Sequence, residues 1–148
     1  MGAMHSSRLD YALRALLELS KRYGGGPTRV QEIANCQNVP ARFLEAVLAD
    51  LRRAGFVESK RGVKGGYWLA MPPEAITVAE VVRLVDGGLS LVPSDDGSET
   101  GKDRSVGTSA FKALWRQAAA ALEALYSATT FADLLEEDLA LSREAADY

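Results

Sequence analysis

The sequence predicts a mainly α fold with one small β-hairpin, and three observations carry that prediction. Apolar residues recur at a period of about 3.6 residues through the N-terminal third. The period drops to two over two short runs near residues 56 and 67, and then returns to the helical value toward the C-terminus. The breaks between these blocks are short and rich in glycine and proline.

The 148 residues fit one compact unit with room for an appended oligomerisation element. With 25% charged and 47% apolar residues the chain has the balance of a globular protein, not a disordered one. No apolar run approaches the 18 or so residues of a membrane span, and no charged-then-apolar signal segment opens the chain. The expected location is therefore cytoplasmic. Met1-Gly2-Ala3-Met4 reads as a tag-cleavage remnant.

Leu9, Leu13, Leu16 and Leu17, with Ala12 and Ala15 between them, mark an amphipathic helix from about residue 7 to 22. Gly24-Gly25-Gly26-Pro27 stops it. Thr28-Arg29-Val30-Gln31 has the form of a capping box, opening a short helix through Val30, Ile33 and Ala34 that ends near Asn35–Asn38. Pro40 suits the first turn of a third helix, where its missing N–H costs nothing. That helix puts Phe43, Leu44, Val47, Leu48 and Leu51 on one face, with Arg42, Glu45, Ala46, Ala49, Arg52 and Arg53 on the other. Gly55 is its natural terminator.

Phe56-Val57-Glu58-Ser59 and Tyr67-Trp68-Leu69-Ala70 are the two short strands, and Lys60 through Gly66 form a basic, glycine-rich hairpin tip. Pro72-Pro73 closes the unit. Thr77-Val78-Ala79-Glu80 is a second capping box, starting a helix that ends at Gly87-Gly88. Residues 89 to about 108 are polar and read as a long flexible loop. From about Ser109 a long helix carries Phe111, Leu114, Trp115, Ala118, Leu122, Leu125 and Tyr126 on one stripe. Thr130-Phe131-Ala132-Asp133 begins a short final helix.

Two short helices with a tight turn, followed by a basic hairpin, make a winged helix-turn-helix. The expected division is a winged helix-turn-helix DNA-binding domain over 5–75, then a connecting helix, the loop and long C-terminal dimerisation helices over 76–148. In such a unit the second helix of the pair must present hydrogen-bonding side chains at its N-terminal end to base edges in the major groove. Here those positions are Pro40, Ala41, Arg42 and Glu45. Arginine is the usual partner of guanine, and a glutamate can accept from the amino group of cytosine. The hairpin needs glycines for close backbone approach and cations for phosphate, and Lys60, Arg61 and Lys64 supply the charge. An arginine at a wing tip can enter a narrow minor groove.

The formal charge of −3 seems to oppose nucleic acid. It averages two unlike halves: residues 1–90 carry 12 Lys/Arg against 9 Asp/Glu, and residues 91–148 carry 5 against 11. The alternative, that the hairpin is a soluble turn on a protein-interaction module in a regulatory complex, stays open on pattern alone. An enzyme is not indicated, because no nucleophile elbow, phosphate loop or metal-ligand spacing is present.

Several motifs together carry a family resemblance. They are Ser6 to Ala12, Ala54-Gly55-Phe56-Val57, Arg61-Gly62-Val63-Lys64-Gly65-Gly66-Tyr67-Trp68-Leu69, Ile76 to Val82, Ala113-Leu114-Trp115-Arg116 and Thr130 to Leu134. The chain resembles the bacterial winged-helix regulators of the IscR, NsrR and CymR family over nearly its whole length except residues 88–108. The resemblance implies a cytoplasmic homodimer crossed by its long C-terminal helices, acting as a DNA-binding transcriptional regulator, expected to be a repressor, on a near-palindromic operator in duplex DNA. It implies Ser7 and Arg8 near the DNA backbone, Pro40 to Glu45 as the start of the recognition helix, and Arg61 with Lys64 in the wing. A small hydroxyl residue is frequent where this chain has Pro40.

Cluster-binding members carry three cysteines between the Val-x-Glu-Val helix and the long helix, and this chain has none there. Iron–sulfur clusters are held mainly by thiolates, so one cysteine argues against a cluster and no cofactor is expected. Cys36 reads either as a small buried hydrophobe or as a redox-responsive thiol whose pKa Arg29 or Arg42 lowers. His5 is expected at the surface. Trp115 and Tyr126 read as dimer-core residues, or as walls of a pocket for a small-molecule effector, with a protein effector as the other form of signal. Asp95, Asp96, Glu99 and Asp103 read as a solvated loop.

Overall fold

Ser6 opens the first helix: its Oγ accepts the Leu9 N–H at 3.1 Å and caps α1 (Ser7–Lys21). The structure is a computed structural model that describes the backbone of residues 5–88 and 106–148, with side chains for 5–88 and 109–148. The tag-like residues 1–4 and residues 89–105 of the expected loop lie outside it. After α1 come α2 (Val30–Gln37), α3 (Ala41–Arg53), β1 (Val57–Lys60), β2 (Gly66–Leu69) and a 3-10 turn at Pro73–Ala75. Three helices follow: α4 (Val78–Asp86), α5 (Val106–Ala128) and α6 (Phe131–Ala146). The chain is thus mostly helical with one two-stranded antiparallel hairpin.

The apolar faces converge on one buried cluster. Leu9, Leu16 and Leu19 of α1 meet Ile33 of α2, Leu44, Leu48 and Leu51 of α3, Val57 and Leu69 of the hairpin, and Val81 of α4. Phe131 is also buried in this cluster and brings α6 into it. The Phe131 N–H donates to the Ile76 carbonyl at 3.0 Å and the Val78 N–H donates to the Thr129 carbonyl at 3.0 Å. The helices α4 and α6 therefore start side by side, each with a complete capping box, Thr77 with Glu80 and Thr130 with Asp133.

Six local expectations are corrected. The Thr28 capping box does not form: Arg29 is the N-cap of α2 and no side chain caps it. Thr28 is instead buried and exchanges both backbone hydrogen bonds with Tyr67 at 2.8 Å, so its backbone serves the sheet. Pro40 sits one residue before the first turn, as the N-cap of α3. Phe43 is not core but 42% exposed, while Leu44, Val47, Leu48 and Leu51 fill the interior. The long helix starts at Val106, not Ser109, and the last helix is not short, running 16 residues. The strands shift so that Lys60 pairs with Gly66 as the final rung, leaving Arg61–Gly65 as the tip.

Candidate nucleic-acid interface

The turn between α2 and α3 is fixed by local chemistry. Asn38 ends α2 in the left-handed region at φ 53°, which asparagine tolerates, and Val39 is buried to anchor the turn. Pro40 then directs the chain into α3 with φ −61° and no N–H of its own. No side chain caps α3 and no acidic residue occupies its first turn, so the positive end of its dipole is left for an anion outside. Arg42 and Glu45 are exposed one turn apart on this end, and Ala41 is half-buried.

The wing is held to the body at its base. A Cβ on Gly66 would lie 2.5 Å from the Thr28 carbonyl oxygen, so glycine is what allows the Thr28–Tyr67 pairing. Arg29 donates from Nη2 to the Val63 carbonyl, linking the start of α2 to the tip. Lys60, Arg61 and Lys64 are all exposed.

Pairing of charges separates the basic residues of the first 88 positions into two sets. Arg8, Arg14, Lys21, Arg22, Arg53 and Arg83 each engage a carboxylate. Among the described residues Arg29, Arg42, Arg52, Lys60, Arg61 and Lys64 engage none. All six of the latter lie at the start of α2, on α3 or in the wing. Cations left without a carboxylate partner are the ones free to neutralise phosphate.

Ser7 and Arg8 stand apart from this set. Ser7 is exposed at the start of α1, and Arg8 is ion-paired with Asp50 in the C-terminal half of α3, which also takes Arg53 Nη1 at 2.7 Å. Arg8, Asp50 and Arg53 line an open cavity of about 430 Å³ with Leu84 and Val85. Of the predicted contact residues, the structure brings Arg42 and Glu45 one turn apart onto the N-terminal end of α3, and Lys60, Arg61 and Lys64 together in the wing, with Arg8 held elsewhere by Asp50.

Cys36 is exposed, which corrects the buried reading, and its cationic neighbour is Arg22, not Arg29 or Arg42. Arg22 Nη2 lies 3.5 Å from its Sγ. The same guanidinium reaches Glu18 through Nε and Glu32 through Nη1, each at 3.1 Å, and the bond to Glu18 raises its pKa. His5 is half-buried, not superficial: Nε2 lies 2.8 Å from the Tyr126 hydroxyl, and the two rings are 5.8 Å apart.

Along α5 the predicted stripe is largely uncovered. Phe111 is 60% exposed, Leu114 50%, Trp115 43% and Leu125 58%, while Ala118, Leu122 and Tyr126 are half-buried. Sequence reading missed Tyr11 and Phe43, whose rings stack at 5.8 Å beside Arg42. An arginine immediately before an aromatic in an uncapped first turn was the available signal.

The profile of the Rrf2 family, described as an iron-dependent transcriptional regulator, matches residues 5–137. The chain belongs to the Rrf2 family. Its sequence is 34% identical over 129 residues to the HTH-type transcriptional regulator CymR of Bacillus subtilis, covering 87% of each chain. The solved structure of B. subtilis CymR, the global cysteine regulator, superposes with a TM-score of 0.76 at 31% identity, covering 92% of this chain and 98% of that one. The IscR structure from T. potens gives 0.72 at 30% identity, over 93% and 90%. The fold is the winged helix of these regulators. An Rrf2 protein is a DNA-binding transcriptional regulator, not an enzyme. Among the described residues no helix is long and apolar enough to cross a membrane.

Proposed function

We propose that this Rrf2 protein is a homodimeric, cytoplasmic repressor that reads a near-palindromic operator and works without an iron–sulfur cluster. In this reading residues 5–75 read the DNA and residues 76–148 hold the dimer. Arg42 and Glu45 read base edges in the major groove from the N-terminal end of α3, with Pro40 and Ala41 leading the chain into it. Arg61 enters the minor groove, Lys60 and Lys64 hold phosphate, and Ser7 with Arg8 supports the backbone once Arg8 leaves Asp50. The observation that carries this reading is the pairing pattern over the first 88 positions: among the described residues there, the cations without carboxylate partners lie at the start of α2, on α3 and in the wing.

The exposed stripe of Phe111, Leu114, Trp115 and Leu125 supports the dimer, since an uncovered apolar strip of this size on a helix calls for a partner surface. Ala118, Leu122 and Tyr126 complete that stripe. A second copy supplies the same strip by symmetry.

Iron is implied by the family description, and the donor set here does not fit a cluster. The whole chain holds one cysteine and one histidine, and residues 89–108 contain neither. Cys36 faces Arg22 instead of further thiolates, and among the described residues no three His, Cys, Asp or Glu side chains gather as a metal site. The signal is then a small-molecule or protein effector, or oxidation of Cys36.

Selection from random duplex DNA tests the reading. A palindromic motif bound with a steep inverse dependence on salt is expected, because phosphate contacts release counterions. Glu45→Ala should relax the motif more than it lowers total affinity. Salt-insensitive or absent binding would instead favour a protein-docking module. Anaerobically purified protein should lack visible cluster absorbance, and stoichiometric iron and sulfide would overturn the cluster-free assignment.

A further inference from the structure

The first turn of α3 holds an aromatic ring that helical periodicity assigns to the core and that the fold leaves 42% exposed. Phe43 stacks on Tyr11 of α1, with ring centroids 5.8 Å apart and planes inclined by 15°. The guanidinium carbon of Arg42 lies 4.8 Å from the Phe43 centroid on the same ring. Among the described residues Arg42 makes no ion pair and no side-chain hydrogen bond. It is held by a ring and not by a carboxylate.

That difference has a chemical consequence. A carboxylate engages the N–H donors of a guanidinium, whereas a ring engages its face and leaves the in-plane donors free. Guanine recognition uses those same in-plane donors, in a bidentate pair to O6 and N7. Arg53 shows the contrasting arrangement further along the helix, with Nη1 committed to Asp50 at 2.7 Å.

We propose that Phe43, backed by Tyr11, is a positioning residue for sequence reading, which holds the Arg42 guanidinium at the N-terminal end of α3 with its donors open to a base edge. The proposal rests on the reading that Arg42 contacts a base. A flexible arginine loses rotamer freedom when it docks, and one already stacked on a fixed ring loses less. Tyr11 fixes the ring in turn, because it lies on α1, whose other face is locked in the core. Phe43 thus converts the packing of α1 on α3 into the aim of one arginine.

The test is random-library selection followed by competition binding, with the wild type, Arg42→Ala, Phe43→Leu, Phe43→Met, Phe43→Tyr and the Arg42→Ala/Phe43→Leu double variant. Phe43→Leu and Phe43→Met should weaken discrimination about two- to fivefold at the same base pair that Arg42→Ala affects, the range expected for an exposed cation–π contact. Phe43→Tyr should restore it. The salt slope should not change, since no cationic contact to phosphate is lost. The double variant should discriminate no worse than Arg42→Ala alone. A purely structural role would lower the melting midpoint without favouring one base pair, and circular-dichroism melts separate that outcome. If Arg42→Ala loses a base pair and both Phe43 variants keep the full wild-type motif, the positioning role is wrong and the Arg42 reading survives. If Arg42→Ala itself selects the wild-type motif, the base-reading role falls and the positioning role falls with it.

Discussion

Gln37, the last residue of α2, donates from Nε2 to Oε2 of Glu18 at 3.0 Å, tying the end of one DNA-head helix to the buried flank of another. The Glu18 side chain is only 7% exposed and also meets Arg22 at 3.1 Å. Burial alone would raise its pKa. The hydrogen bonds from Gln37 and Arg22, with the charges of Lys21 and Arg22, outweigh that and bring it below the ordinary 4.5. A carboxyl whose folded pKa is depressed contributes stability above its unfolded value, and that contribution is lost as pH falls through the folded value. Glu18→Gln should therefore cost about 1.5–3 kcal/mol at neutral pH, the range of a hydrogen bond to a charged group. In urea unfolding at successive pH values, the two proteins should converge as pH drops below the ordinary carboxylate range. A gap that stays constant down to strongly acid pH would show that the charge of Glu18 is not what stabilises the fold.

The base of the wing gives a second expectation. Gly66 has φ +145°, and an added Cβ would meet backbone atoms of Thr28. Gly62, at φ +111°, has nothing within 4 Å of that position. Both alanine variants are strained, but only Gly66→Ala must also displace a paired backbone. Gly66→Ala should destabilise by about 1–3 kcal/mol and Gly62→Ala by less, since strain there stands alone. Hydrogen exchange at the Tyr67 amide, which donates to Thr28, reads the first directly: it should accelerate in Gly66→Ala and not in Gly62→Ala.

The two wing cations should separate by readout. Lys64→Ala should lower the slope of log affinity against log salt by about one and weaken all sequences alike, as loss of a phosphate contact does. Arg61→Ala should remove preference for A/T-rich flanks, where a narrow minor groove favours arginine. Fluorescence anisotropy over a salt series, on operators differing only in their flanks, measures both. Equal flank preference in wild type and Arg61→Ala would rule out minor-groove insertion.

What the sequence revealed depended on whether the deciding contact was local. The Thr77–Glu80 and Thr130–Asp133 boxes close within four residues, and both form as the pattern predicts. Thr28-Arg29-Val30-Gln31 carries an equally good pattern and fails, because Tyr67, distant in sequence, takes the Thr28 backbone into a bridge. Phe43 falls on the apolar stripe by period, yet Tyr11 stacks against it from α1 and leaves it at the surface. Cys36 and His5 differ from their sequence expectation for the same reason: their neighbours, Arg22 and Tyr126, are fixed by tertiary packing. The basic wing was legible because glycine and charge at a hairpin tip are local requirements. The release of its cations from carboxylates was not, since ion pairing is set by which helix faces which.

The long helix supplies the last expectation. Trp115 lies mid-stripe, 43% exposed, with Phe111 and Leu114 beside it on the same uncovered strip. Burying a large apolar side chain contributes about 1.5–3 kcal/mol, so several residues of this strip meeting their symmetry mates would hold a dimer at micromolar protein concentrations or below. Trp115→Glu removes one such contact and places a charge from each protomer on the strip that the dimer would bury. Sedimentation velocity should show a dimer for the wild type and a monomer for Trp115→Glu, with the far-ultraviolet circular dichroism of the helices largely kept. Operator affinity should fall by far more than half-site affinity, because two linked heads bind the second half-site at high effective concentration. A wild type that sediments as a monomer at micromolar concentration would remove the dimer, and with it the reason for a palindromic operator.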